Sequence, residues 1–236
     1  MPEGYSRPFP QIPEREALRY LGYRGSMPED RVRERIGEVT GLLKEAAAPR
    51  LVRQRFEISV SGEEIRLSGL VIKSKDLLIN LKSCRAVFLT AATLGSGVDR
   101  LMTRLSLTSS FDMLVLQALA AACLEEVLDL EEEAMKAEIK QEGFSLRPRF
   151  SPGYGDLPLK LQPDLIRLLN AGKLIGLSVT DSLMLTPQKS VTAITGLIAG
   201  KETKGKKSPC LTCEKTDCAM REIKVESEGE DAFHRS

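Results

Sequence analysis

The sequence predicts an α+β domain with a twisted, mostly antiparallel sheet packed with helices. Three observations carry this expectation. A hairpin pattern comes early in the chain, an apolar strand follows it, and further strand candidates come late. Helical segments separate them without the regular strand–helix–strand alternation of a parallel fold.

Residues 8–13 form a proline-punctuated arm. The segment Ser26-Met-Pro-Glu-Asp30 has the character of a helix start, with Ser26 as candidate cap and acids in the first turn. That helix is expected to run to about Ala48, where Pro49 stops it. Val32, Ile36, Val39 and Leu43 recur at spacings of three and four, an amphipathic stripe. Residues 56–60 and 65–71 alternate apolar and polar side chains. Ser61-Gly62 between them is a turn signal, and together they predict a hairpin. A short helix is expected over 74–82. Residues 86–92 are apolar on both faces, the pattern of a central strand. Residues 93–97 then form a strand-to-helix turn, followed by a short helix over 98–105.

The longest predicted helix covers about 110–141. Ala118, Ala121, Ala122 and Glu125 share one of its faces. An irregular loop over 147–158 holds Pro148, Pro152, Pro158, Gly153 and Gly155. A helix over 163–171 and strands over 175–180 and 191–198 complete the folded part. This divides the chain into residues 1–200 as one domain and 201–236 as a polar linker and Cys-rich, acidic tail. No internal repeat is visible.

Composition narrows the function classes. The chain has 236 residues, with 34 Lys and Arg against 33 Asp and Glu, a formal charge of +1. So balanced a chain has no field to draw it onto nucleic acid or an anionic membrane. Aromatics make up 5% and Trp is absent, which leaves few platforms for stacking bases. The longest apolar run, 113–124, is broken by Gln117 and is too short to span a bilayer. The start shows no secretory h-region, and the five cysteines are odd in number, so a reducing cytoplasm is the expected compartment.

The loop Arg149-Phe-Ser-Pro-Gly-Tyr-Gly-Asp156 carries the strongest chemical signal. Pro152 fixes one backbone angle, and Gly153 permits positive φ and close approach of a ligand to the main chain. A guanidinium, main-chain amides and the Tyr154 ring lie within six residues. That set suits a ligand with a carboxylate, hydrogen-bonding edges and a cation or heteroaromatic ring. A rigid connector that merely turns the chain is the competing reading.

Arg149, Gly153 and Tyr154 match the R-x-x-x-G-Y motif, and the loop resembles the S-adenosylmethionine-binding segment of the activation domain of cobalamin-dependent methionine synthase. Pro152, the following Gly-Asp-Leu-Pro158, Asp181-Ser-Leu-Met-Leu-Thr-Pro187 and Ser190-Val-Thr-Ala193 are similar to further family segments. So are Ala91-Ala-Thr-Leu-Gly95 and Cys123-Leu-Glu125. The resemblance spans roughly residues 10–200. It implies a helmet-shaped α+β domain that binds S-adenosyl-L-methionine and docks over a cobalamin domain. There an electron from a flavodoxin- or ferredoxin-type donor and a methyl group from the ligand restore methylcobalamin from cob(II)alamin. The chain lacks the homocysteine, folate and cobalamin modules. The resemblance therefore implies a free-standing component acting on a separate cobalamin-binding methyltransferase or corrinoid protein.

The resemblance also assigns residues. Arg149 would pair with the ligand's carboxylate. Ser151 and Gly153 would offer backbone hydrogen bonds to the adenosine portion, and Tyr154 would border the methyl-transfer space. Glu125 matches a family carboxylate that contacts the ligand; its competing reading is an ordinary surface glutamate in a run with Glu126 and Glu131 to Glu133. Two family contacts, an Asp near the domain's start and a Tyr after the loop, have no counterpart here. No catalytic acid–base pair is expected, because cobalt(I) is itself the nucleophile and the protein's task is positioning.

The tail holds Cys210, Cys213 and Cys218 in a C-x2-C-x4-C arrangement. This spacing suits an iron–sulfur cluster or zinc, with an outside thiol or His234 as fourth ligand; unligated redox thiols are the third option. An electron-transfer accessory to a corrinoid protein, using this cluster, is the alternative function. A zinc-knotted adaptor is a blander third. Cys84 and Cys123 read as small buried hydrophobes.

Overall fold

The computed structural model describes residues 4–23 and 28–200. Ser26 and the linker and tail from 201 onward, with Cys210, Cys213 and Cys218, lie outside the described residues.

In chain order the strands are β1 (Gly4–Ser6), β2 (Arg50–Ser61), β3 (Glu64–Leu67), β4 (Leu70–Ile72), β5 (Cys84–Thr93), β6 (Phe144–Leu146), β7 (Ser178–Val179), β8 (Leu185–Thr186) and β9 (Ser190–Ala199). The helices are α1 (Glu14–Tyr20), α2 (Asp30–Ala46), α3 (Lys75–Asn80), α4 (Ser96–Thr108), α5 (Ser110–Lys140), α6 (Gln162–Leu168) and α7 (Ala171–Ile175). A 3-10 turn, Leu159–Leu161, leads into α6.

Seven strands form one sheet in the order β4-β3-β2-β5-β9-β6, with β1 added along the start of β2. Every pairing in it is antiparallel. β5 is central, as its two-sided apolar pattern predicts: Val87, Leu89 and Ala91 face one side, Ala86, Phe88 and Ala92 the other, and all are buried. On one side lie α1, α2, α4 and α5. There Leu51 and Ala92 meet Val39, Leu43, Leu116 and Leu119, and Phe88 and Leu197 meet Met135 and Ile139. The opposite side packs Val52, Leu89 and Ile194 against Leu77, Leu165 and Ile175 of α3, α6 and α7. The α+β class with a mostly antiparallel sheet is thus the observed architecture.

Several local expectations need correction. The first long helix has its N-cap at Glu29, not Ser26, and ends at Ala46, two residues before the expected Ala48. The second hairpin strand is broken at Ser68-Gly69, both with positive φ (45° and 85°). That two-residue turn makes β2, β3 and β4 a three-stranded meander. The helix expected over 163–171 stops at Leu168, because Asn170 adopts the left-handed conformation and starts α7. Gly176, also left-handed, ends α7, so the strand expected from Ile175 shrinks to Ser178–Val179. The first hairpin strand, expected over 56–60, runs from Arg50 to Ser61. The remaining surprises, β1, α1, β6 and β8, are short.

Among the described residues no helix is long and apolar enough to cross a membrane. Cys84 and Cys123 are free and buried, and burial pushes the Cys123 thiol up to about 12.

Candidate functional site

The loop after β6 is fixed at both ends. At its start it follows the edge of β9: the Arg147 amide donates to the Gly196 carbonyl at 2.8 Å, and Phe150 and Ile194 exchange two main-chain bonds at 2.8 and 2.9 Å. Side chains alternate along this extended stretch. Phe150 therefore packs into the core beneath α6 and α7, and Arg149 points the other way, to α5. At its end the loop is stapled to α3. The Asp156 carboxylate accepts from Ser74 Oγ, from the Lys75 amide at 2.7 Å and from the Asp76 amide at 3.2 Å. The Asp156 amide donates back to Asp76 Oδ2 at 3.1 Å. An acid on the first-turn amides of a helix is a favourable pairing, and these bonds, led by that from Ser74, lower the Asp156 pKa.

Between these anchors the two glycines do what only glycine can. Gly153 has φ 94° and Gly155 φ 51°. A Cβ on Gly155 would lie 2.1 Å from Asp76 Oδ2, inside the α3 staple. The turn sets Tyr154 outward, 67% exposed. Pro152 is buried. The Gly153 amide donates to the Leu157 carbonyl at 2.8 Å and the Tyr154 amide to the Ser151 carbonyl at 3.1 Å. These two amides stabilise the turn itself. What the loop presents outward is the Ser151 side chain, the Gly153 main chain and the Tyr154 ring.

A cleft of about 440 Å³ opens between this loop, α5 and β9. Its walls include Glu125, Asp129 and Glu132 on α5, Arg149, Ser151 and Tyr154 on the loop, and Val191 and Ala193 on β9. The structure thus gathers Glu125, Arg149, Ser151 and Tyr154 around one cavity. Gly153 lies in the adjoining turn.

Arg149 is heavily engaged. Its Nη1 donates to Glu132 at 2.9 Å, and its Nη2 to Asp129 at 2.6 Å and Glu125 at 3.3 Å. Burial works against the Arg149 charge, yet the hydrogen bond it donates to Asp129 and the surrounding carboxylates outweigh it and raise its pKa. For Glu125 burial is the larger effect. It raises the carboxyl's pKa, and Arg149 only partly offsets it. Sequence reasoning missed Asp129 and Glu132. The signal was present: positions 125, 129 and 132 follow the i, i+4, i+7 rule and project from one helical face.

The neighbouring acid run is not a uniform solvated face. Glu131 is fully buried, and its carboxylate meets Arg7 of the N-terminal arm and Arg53 of β2, the latter at 2.6 Å. The Tyr5 phenol beside it is raised to about 12, first by burial and then by Glu131. This network ties the arm to the middle of α5.

Among the described residues no group of three or more His, Cys, Asp and Glu could hold a metal ion. The Cys210, Cys213 and Cys218 cluster lies outside them.

No family model matches the sequence. No curated protein matches it either. Among solved structures the chain is similar in fold to the MetH reactivation domain bound to AdoHcy. The TM-score is 0.63 at 15% sequence identity, over 87% of this chain and 80% of that one.

Proposed function

We propose that the chain binds S-adenosyl-L-methionine in the cleft between α5 and the 149–156 loop. In this reading it assists reductive methylation of cob(II)alamin held by a separate cobalamin-dependent methionine synthase or related corrinoid methyltransferase. The observation that carries the reading is a coincidence of place. The fold is shared with a reactivation domain whose structure contains AdoHcy. In this chain Arg149, Ser151 and Tyr154 of the loop and Glu125 of α5 line one cleft of ligand size, with Gly153 in the adjoining turn.

The proposed ligand residues are Glu125, Arg149, Ser151, Gly153 and Tyr154. Arg149 holds three α5 carboxylates toward the cleft, where they favour a sulfonium, an ammonium or ribose hydroxyls. Tyr154 supplies an exposed aromatic wall. The chemistry itself needs no protein acid or base. One electron reduces cob(II)alamin to cob(I)alamin. The cobalt electron pair then attacks the sulfonium methyl carbon; the carbon–sulfur bond breaks with its pair to sulfur, giving methylcobalamin and S-adenosylhomocysteine. The chain's contribution is to fix the methyl group in line with the metal.

The test uses a cobalamin-dependent methyltransferase without a reactivation domain of its own, poised as cob(II)alamin. The methylcobalamin spectrum is expected only when this chain, S-adenosylmethionine and a flavodoxin- or ferredoxin-type reductant are all present. Equal recovery without the chain contradicts the reading.

A further inference from the structure

A second concavity, of about 560 Å³, lies away from the α5 cleft, between the N-terminal arm, α1 and α2. Its floor is apolar. Ala17, Ile36 and Leu119 are buried there, and Phe9 and Ile12 of the arm form the facing wall. That wall is preformed. Pro8, Pro10 and Pro13 each set a backbone angle, and the Arg7 amide just before them donates to the Pro49 carbonyl at 3.0 Å.

α2 supplies the other side. Arg33, Gly37, Thr40 and Lys44 recur at spacings of three and four, so they line one side of the helix over about 16 Å. Gly37 stands in the helix interior, where glycine is the weakest former after proline. A Cβ there would meet no atom within 4 Å. Packing inside the chain therefore does not require glycine at this position, and the missing side chain is what keeps the middle of the groove open. The Thr40 hydroxyl donates to the Ile36 carbonyl at 2.7 Å and is thus already spent.

The two ends of the groove differ in charge. At the α1 end Arg33 meets Glu14 at 3.5 Å. At the other end Lys44 is exposed, and among the described residues it has no carboxylate within ion-pair distance. The positions three and four residues to either side of it, Thr40, Gly41, Ala47 and Ala48, carry no charge. The groove is apolar along its length, compensated at one end and cationic at the other. Its complement is a molecule with an apolar body and one anionic head.

We propose that this groove is a second binding site, for an organic monocarboxylate, with the carboxylate on Lys44 and the apolar body over Gly37 against Ile36, Ile12 and Phe9. It stands apart from the S-adenosylmethionine reading, because the two concavities share no lining residue.

The test titrates octanoate and its uncharged counterpart octanol, by calorimetry, into the full chain and into Lys44→Gln, Lys44→Arg and Gly37→Leu. The wild-type chain is expected to bind octanoate about fivefold more tightly than octanol, the upper scale of an exposed ion pair. Lys44→Gln should bring octanoate down to the octanol level and leave octanol unchanged, while Lys44→Arg keeps the preference. Gly37→Leu fills the groove and favours the helix, so both probes should cease to bind while the melting temperature is kept. Equal affinity of the wild-type chain for the two probes, a preference that survives Lys44→Gln, or binding that survives Gly37→Leu overturns the proposal. Binding of neither probe to the wild-type chain overturns it as well.

Discussion

Glu131 is fully buried and lies between Arg7 and Arg53, whereas Glu132 beside it turns to Arg149 at the cleft wall. One residue along a helix is a rotation of about 100°, enough to send one carboxylate into the core and the next to the site. Removing the Glu131 charge leaves two guanidiniums facing a buried neutral group. Glu131→Gln is expected to destabilise the chain by about 3 kcal/mol, read as a lower urea midpoint. The same change at Glu132 should leave the midpoint nearly unchanged and lower ligand affinity instead. At this scale the sequence was informative only where spacing is local. The 125, 129, 132 row follows from helical geometry alone. The meeting of Arg149 with that row depends on how β9 and the loop beside it pack against α5. No local pattern encodes that packing.

At the scale of elements, α5 organises the molecule. The Ser109 hydroxyl caps it by accepting from the Asp112 amide at 3.2 Å. Asp112, buried, also takes Arg35 of α2 through both carboxylate oxygens. That hydrogen bond, more than any other effect, holds the Asp112 pKa below the ordinary aspartate range. The sign follows from linkage: a carboxyl lowered on folding contributes stability above its unfolded value and loses it as pH falls through the folded one. The stability difference between wild type and Asp112→Asn should therefore be full at neutral pH and shrink below about pH 4. Urea titrations across that window check it. The loop element has its own test. Gly155→Ala places a methyl group against Asp76 at a left-handed φ of 51° and should break the α3 staple. A loss of about 1–2 kcal/mol is expected, with weakened ligand binding because Tyr154 loses its direction.

Long elements were legible because they repeat a period many times, as α5 and β5 do. β1 and β6 are three residues each and exist because β2 and β9 offer them an edge. Strands so short carry almost no pattern of their own. The break at Asn170 escaped for a related reason, since a left-handed asparagine is a local option that helix periodicity does not reveal.

The described residues form a seven-stranded antiparallel sheet, with α1, α2, α4 and α5 on one face and α3, α6 and α7 on the other, and a separate two-stranded sheet of β7 and β8. The cleft lies where β9 runs past the short β6. β9 ends at Ala199. A chain cut at residue 205 is thus expected to keep the melting temperature and ligand affinity of the full chain, and to lose any iron or zinc held by Cys210, Cys213 and Cys218. Iron analysis of anaerobically purified full-length and shortened protein decides whether the tail is an electron relay. Its outcome leaves the ligand reading untouched.

The central claim is that the α5 cleft is a binding site for S-adenosylmethionine organised by Arg149. Calorimetric titration of that ligand into the wild-type chain and into Arg149→Ala tests it most directly. One-to-one binding that weakens at least about tenfold in the variant is the predicted result, since three α5 carboxylates lose their clamp. Equal binding by both proteins, or no binding by the wild-type chain, would contradict the claim.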